Sequence, residues 1–132
     1  MSTHSESVAI VLVDHGSKRP AANEQLHRLV ALYKQSTGTA IVEPAHMELA
    51  TPTIADAIAA CVRQGATEIV VHPYFLAPGR HSKEDIPRMV AEAVAEHQHI
   101  TCRVTEPLGL DERLCAVIET RIAEAVERTT IG

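Results

Sequence analysis

Four apolar stretches rich in β-branched residues alternate with four stretches in which apolar residues recur at helical spacing. The apolar stretches are Val8–Asp14, Thr39 to about Leu49, Glu68–Tyr74 and Ile100–Val104. Runs of this length and composition are typical of strands that are buried on both faces of a sheet. The order β-α-β-α-β-α-β-α requires crossover connections, which are right-handed. It predicts the α/β class, with a single four-stranded parallel sheet and helices on both faces.

Capping signals mark the ends of the first two helical stretches. The first runs from Pro20 to about Thr37 and stops at Gly38, a residue that accepts the left-handed conformation at a helix end. The second is expected to begin with Thr51 as the N-cap and Pro52 in the first helical position.

The last two helices are predicted in the same way. Ser82 is expected to cap the third, with Asp85 completing a capping box. Asp111 is expected to start the fourth, whose apolar residues should face the core. Those residues are Leu114, Val117, Ile118, Ile122, Ala125 and Val126.

Length and composition indicate one globular domain over residues 1–132, with an ordered core of about 8–128 and frayed ends. The first residues, MSTHSES, do not resemble a signal peptide. No apolar run approaches the roughly 20 residues of a membrane span. Cys61, Cys102 and Cys115 are odd in number and widely spaced, so we expect reduced thiols in a cytoplasmic protein.

Binding to nucleic acid is not expected. The net charge is −5, so there is no general attraction to a phosphate backbone. The chain has no Trp and one Phe, so stacking of bases on aromatic side chains is also an improbable mode of binding.

Three potential metal ligands follow three of the predicted strands at equal spacing. His15 and Glu48 are 33 residues apart, and Glu48 and His81 are also 33 apart. The carboxyl ends of parallel strands meet at one edge of a sheet, where ligands bind. The three side chains can therefore meet there as an imidazole–carboxylate–imidazole set, which suits a divalent metal and leaves coordination positions open.

Each residue also has a simpler interpretation. His15 could be a loop histidine bonded to a backbone carbonyl, Glu48 could cap the helix near Pro52, and His81 could be a surface residue at a helix N-terminus. Strand alternation puts His46 on the same face as Glu48. His46 is a candidate supporting residue or an extra ligand, although a packed strand histidine is the more common case.

Three motifs carry a resemblance to a known family: VDHGSKR, IVEPAHMELATP and FLAPGRHSKEDIP. In this order they resemble the short class II chelatases of the CbiX/SirB type, from about Val8 to Leu108. The amino-acid sequences of these motifs are most similar to those of the sirohydrochlorin ferrochelatases. The resemblance implies insertion of Fe²⁺ into sirohydrochlorin with release of two protons, and it assigns metal binding and catalysis to His15, Glu48 and His81.

The resemblance also implies a flavodoxin-like half-chelatase that forms a homodimer, with the tetrapyrrole in a cleft between subunits. No permanently bound cofactor is implied, because the divalent metal is a substrate. The chain lacks the Cys-rich tail of some plant relatives, so no Fe–S cluster is expected.

Sirohydrochlorin carries several carboxylates, which an acidic protein must bind with local cations and backbone N–H groups. Lys18 and Lys83 are further candidates for this role. Apolar residues of the FLAPG segment would form a floor for the macrocycle. The expected substrate-binding residues are Gly16, Ser17, Arg19, Tyr74, Phe75, Leu76, Gly79 and Arg80.

Other functions stay open at this point. A cobalt- or nickel-inserting chelatase would use the same ligands, and no residue decides the metal or the pathway served. A protein that binds a metal or a tetrapyrrole without catalysis is a second class. A histidine phosphatase would need Arg before the His-Gly pair, where this chain has Asp14.

Overall fold

A four-stranded parallel sheet forms the centre of the computed structural model, which describes residues 8–128. The strands are β1 (Val8–Asp14), β2 (Val42–His46), β3 (Glu68–Pro73) and β4 (Thr101–Val104). Their spatial order is β2-β1-β3-β4, and every neighbouring pair is parallel. The predicted fold class is therefore confirmed. Both chain ends, for which we expect fraying, lie outside the described residues.

Four helices connect or follow the strands. They are α1 (Pro20–Thr37), α2 (Ile54–Arg63), α3 (Ile86–Val94) and α4 (Glu112–Val126), and a π-helical turn (His81–Asp85) runs directly into α3. None of the helices within residues 8–128 is long and apolar enough to cross a membrane.

Alternation along β1 divides the core into two layers. Ala9, Val11 and Val13 face the layer formed with α2 and α3, whereas Ile10 and Leu12 face the layer beneath α1. All five are buried. Burying one large aliphatic side chain contributes about 1.5–3 kcal/mol to folding. This central strand therefore holds its carboxyl end, and the residues that follow it, in a fixed place.

The start of α2 differs from the prediction. Thr53, not Thr51, is the N-cap: its side chain accepts from Asp56 N (3.1 Å), and Asp56 accepts from Thr53 N (2.9 Å). Pro52 lies in the turn before the helix, after a cis peptide bond. The capping box of Thr53 and Asp56 satisfies two backbone donors, whereas a cap at Thr51 would have Ile54 three residues later, which cannot accept a hydrogen bond.

The predicted cap at Ser82 is also wrong. The chain is already helical at Arg80, so Ser82 lies within the π-helical turn and exchanges hydrogen bonds with the backbone of Gly79 (3.0 and 3.1 Å). Asp85 accepts from His81 (2.8 Å) and completes no capping box. The second strand is shorter than predicted, because regular pairing ends at His46.

The fourth helix has the expected N-cap, since the Asp111 side chain accepts from Arg113 N (2.9 Å). Its predicted inward face is wrong, however, because no residue of α4 is buried. Val117, Ile118 and Ile122 are 50%, 56% and 51% exposed. The α4 helix makes no extensive contact with another element of residues 8–128, so its apolar face has no partner within this part of the chain.

Candidate active site

His15 and Glu48 meet at the carboxyl edge of the sheet, where adjacent strands β1 and β2 end. Backbone pairing continues beyond the strands: Met47 N donates to Asp14 O (2.9 Å) and Glu48 N donates to His15 O (3.1 Å). The side chains then contact each other, with His15 Nε2 2.7 Å from Glu48 Oε1. They are 46% and 50% exposed, so both can be reached by a ligand.

Gly16 allows the two loops to come this close. Its φ is +94°, and a Cβ added there would lie 1.8 Å from the backbone oxygen of Glu48. A side chain at this position would collide with the loop that carries Glu48 and would also strain its own backbone. The contact of Gly16 with a substrate stays a prediction, whereas its role in the turn follows from its positive φ and its close approach to Glu48.

His81 joins the pair from the other side of β1. It lies at the start of the π-helical turn after β3, and its ring is 5.0 Å from that of His15, edge to face at 87°. Since a carboxylate only accepts, His81 Nδ1–H donates to Asp85 (2.8 Å). This bond orients the ring and uses Nδ1, so Nε2 is the nitrogen left to serve as the predicted ligand, as is common for metal-binding histidines.

These side chains do not form a closed cage. Within residues 8–128 no three His, Cys, Asp or Glu side chains are arranged tightly enough to count as a ready metal site. His15 and Glu48 are bonded to each other, so a metal ion bound between them would replace that bond. A pair of imidazoles with one carboxylate suits Fe²⁺, Co²⁺ or Ni²⁺, and an exposed, incomplete set can release its ion again.

His46 lies beneath this site. It is 0% exposed, and its Nδ1–H donates to Asp14 Oδ1 (2.6 Å). Its Nε2 has no hydrogen-bond partner within the described residues. The sequence left three roles open for His46, and complete burial favours a supporting role over that of an extra ligand.

The loop after His15 is fixed by Asn23, a residue that the sequence analysis missed. The Asn23 side chain accepts from Ser17 N (3.0 Å) and donates to Ser17 O (2.7 Å), while Ser17 Oγ accepts from Arg19 N (3.0 Å). The Ser17 N–H is therefore already used. Asn23 sits in the first turn of α1 and has no sequence signal that separates it from a solvent-facing residue.

The FLAPG segment divides between core and surface. Phe75 is partly buried against the core, whereas Tyr74 and Leu76 are 40% and 69% exposed. The contact of these side chains with a substrate stays a prediction. Gly79 has open space around it. Arg80 forms only a loose exposed pair with Glu84 (3.8 Å), which leaves its guanidinium able to bind an anion.

A groove of about 890 Å³ opens next to the site, between α1 and α4. Asp14 and Tyr74 line its end nearest the sheet edge, Leu29 and Leu32 its α1 wall, and Val117 its α4 wall.

Comparison with known proteins identifies the family of the chain. The CbiX family model matches residues 9–125. A chloroplastic sirohydrochlorin ferrochelatase of Arabidopsis thaliana is 50% identical over 113 residues, covering 86% of this chain and 50% of that protein. The chain thus spans about half the length of this relative.

Two crystal structures share the fold. A CbiX protein from Marinobacter aquaeolei VT8 is 34% identical with a TM-score of 0.77, covering 92% of this chain and 99% of that one. The sirohydrochlorin chelatase SirB of Bacillus subtilis subspecies spizizenii, in complex with cobalt, is 32% identical with a TM-score of 0.82, covering 89% and 50%. The resemblance drawn from the three motifs is confirmed, and the chain belongs to the CbiX family.

Proposed function

We propose that this chain is a chelatase that inserts a divalent metal ion into sirohydrochlorin, with Fe²⁺ as the favoured substrate and siroheme as the product. One observation carries the proposal: His15, Glu48 and His81, far apart in sequence, lie together and exposed at one edge of the sheet. The names of the relatives, which include sirohydrochlorin ferrochelatases, support the same substrate.

The arrangement suits the chemistry of insertion. The ring nitrogens of a free tetrapyrrole lose two protons when the metal enters. A neutral imidazole can accept a proton near neutral pH once the ion has left it for the macrocycle. The contact of His15 with Glu48 can then form again and let a proton pass between them. No thiolate takes part, so the metal is held loosely enough to be transferred.

Cobalt is the second candidate metal. Sirohydrochlorin cobaltochelatases are among the relatives, one of them 33% identical over 97% of its own length. Nickel would fit the same ligands. A metal carrier without catalysis is the alternative outside this class. We further propose that the protein holds no permanent cofactor and works in a reducing, cytoplasmic compartment, which the three free cysteines support.

The exposed side chains near the ligands provide a surface for the macrocycle. We place the apolar ring against Tyr74 and Leu76 and its carboxylates near Arg19 and Arg80, two of the exposed cations close to the ligands. Charge-assisted hydrogen bonds to arginine are among the stronger ones available for a carboxylate.

We propose that two copies of the chain form a dimer through α4. Val117, Ile118, Ile122 and Val126 form an exposed apolar stripe, which monomers rarely leave uncovered. The groove between α1 and α4 measures about 890 Å³. Two turns of helix, about 10 Å across and 11 Å long, fill roughly 850 Å³. About two of the roughly four turns of α4 from a second copy would fit this space. We propose that the tetrapyrrole binds in a cleft between the two copies.

Substitution of charged residues into the apolar stripe of α4 tests the dimer. Ile118→Glu with Ile122→Glu should give a monomer in light scattering, because charges do not tolerate burial in an apolar contact. Thr120→Glu, on the opposite side of α4, is the matched control and should leave the dimer intact. A monomeric wild-type protein with full activity would contradict the proposal.

The reaction is tested by an anaerobic spectrophotometric assay of sirohydrochlorin with Fe²⁺, Co²⁺ and Ni²⁺, with and without protein. We expect a rate enhancement that requires Glu48 and is slower in Glu48→Gln. Stoichiometric binding of metal without any enhancement would indicate a carrier instead.

A further inference from the structure

We infer that Asp14 and His46 form a positioning pair that holds Glu48 beside His15, an inference that rests on the proposed metal-binding role of those two residues. Asp14 directly precedes His15, and His46 lies two residues before Glu48. The pair therefore sits at the last register position of β1 and β2, immediately below the two ligands.

The side-chain bond ties together the roots of both loops. Asp14 and His46 are opposite each other in the parallel ladder, and the 2.6 Å contact between their side chains adds a second link to the backbone pairing. Gly16 passes directly over this link, since a Cβ at Gly16 would lie 3.2 Å from the Cβ of His46. Any shift of His46 is thus transmitted to the loop that carries His15.

His46 also anchors both ends of the loop that carries Glu48. Its backbone N donates to Pro52 O (2.8 Å), and it bridges to Thr53, so residues 47–52 leave and return at His46. Within this loop Leu49 has a φ of +71°. A left-handed leucine is strained and persists only where its surroundings fix it.

The pair is a poor choice for stability alone. A fully buried imidazole whose Nε2 finds no hydrogen-bond partner among residues 8–128 is destabilising, whereas an apolar residue of similar size would fill the same space without that cost. The position of this polar pair directly under the predicted ligands has another explanation: its directional hydrogen bond sets the distance between His15 and Glu48.

The test compares two substitutions of His46 that differ in one hydrogen bond. His46→Asn keeps a nitrogen donor near the position of Nδ1 and can still bind Asp14, whereas His46→Leu fills the site but donates nothing. His72→Asn is the matched control, because His72 is a partly buried histidine of the next strand but one and bonds to Thr105 (2.7 Å), away from the ligands.

Two readouts are needed, namely binding of Co²⁺ followed by its visible absorption, and the kcat and KM for metal in the insertion assay. We expect His46→Leu to fold normally but to weaken Co²⁺ binding and raise KM for metal by about tenfold or more, as substitutions behind metal ligands do. His46→Asn should change the Co²⁺ affinity and the KM for metal by no more than about threefold. His72→Asn should have the same values as the wild-type protein.

Combining His46→Leu with Asp14→Ala should cost no more in Co²⁺ affinity than the larger single effect, because the pair acts as a unit. The inference is overturned if His46→Leu binds Co²⁺ like wild type, or if His46→Asn is as impaired as His46→Leu. The Co²⁺ measurement needs no turnover. A protein that binds Co²⁺ as described but inserts no metal would therefore refute the proposed reaction without refuting the pair.

Discussion

Replacing Gly16 by alanine should separate the two loops that carry His15 and Glu48. The added Cβ would lie 1.8 Å from Glu48 O, so that oxygen has to move by at least 1.2 Å to reach the 3.0 Å below which such contacts essentially never occur. The neighbouring bond from Glu48 N to His15 O, now 3.1 Å, does not survive a shift of this size.

The magnitude follows from two costs. Loss of one backbone hydrogen bond destabilises by about 1 kcal/mol, and a non-glycine residue in the left-handed region costs about 1–2 kcal/mol. We expect the free energy of unfolding to fall by about 2–3 kcal/mol. Misplacement of a reacting group by about 1 Å costs on the order of 100-fold in rate, so insertion should slow by about that factor.

Gly65→Ala is the matched control. Gly65 has nearly the same φ (+95°) but nothing within 4 Å of an added Cβ. The free energy of unfolding of Gly65→Ala should fall only by about 1–2 kcal/mol, the cost of a left-handed residue. Its insertion activity should be unchanged. Urea denaturation measures the stability and the anaerobic insertion assay measures the rate. If Gly16→Ala matched Gly65→Ala in both, the close approach of the loops would have no functional role.

Three further results are expected. His81→Ala should abolish most insertion without changing the fold, because its side chain is 46% exposed, and His97→Ala should not; equal activity in both would remove His81 from the site. Burial lowers the pKa of His72 below 6.5. The unfolded chain therefore takes up the proton first, and stability should fall as pH drops through that value, less so in His72→Gln; identical pH dependence in urea melts would refute this. Burial raises the pKa of Cys61 to about 12 and of Cys102 to about 11, so both thiols should resist iodoacetamide at pH 8 until the protein unfolds, which mass spectrometry would show.

The order of elements could be predicted from the sequence because apolar periodicity is set locally. The β1 strand and α1 have the predicted bounds, and the carboxyl ends of parallel strands converge by geometry, which brings His15 and Glu48 together. The helix starts were less predictable. Thr51 and Thr53 are both plausible caps, and only Asp56, three residues after Thr53, decides between them.

Other contacts could not be predicted. The apolar stripe of α4 has the same pattern whether it packs on its own sheet or on another chain, so Ile118 and Ile122 were assigned to the core. The bond of His46 to Asp14 depends on strand register, and a strand buried on both faces has no alternating pattern from which the register could be read. The contact of Asn23 with Ser17 spans only six residues, but no pattern in the sequence marks it.

The central claim is that His15, Glu48 and His81 together hold the metal that is inserted. A crystal structure of the protein with Co²⁺, with the ion located by anomalous scattering, tests it most directly. We predict one ion at the sheet edge, bound by both imidazoles and the Glu48 carboxylate, with the hydrogen bond between His15 and Glu48 replaced. An ion bound elsewhere, or bound at this edge without His81, would contradict the account.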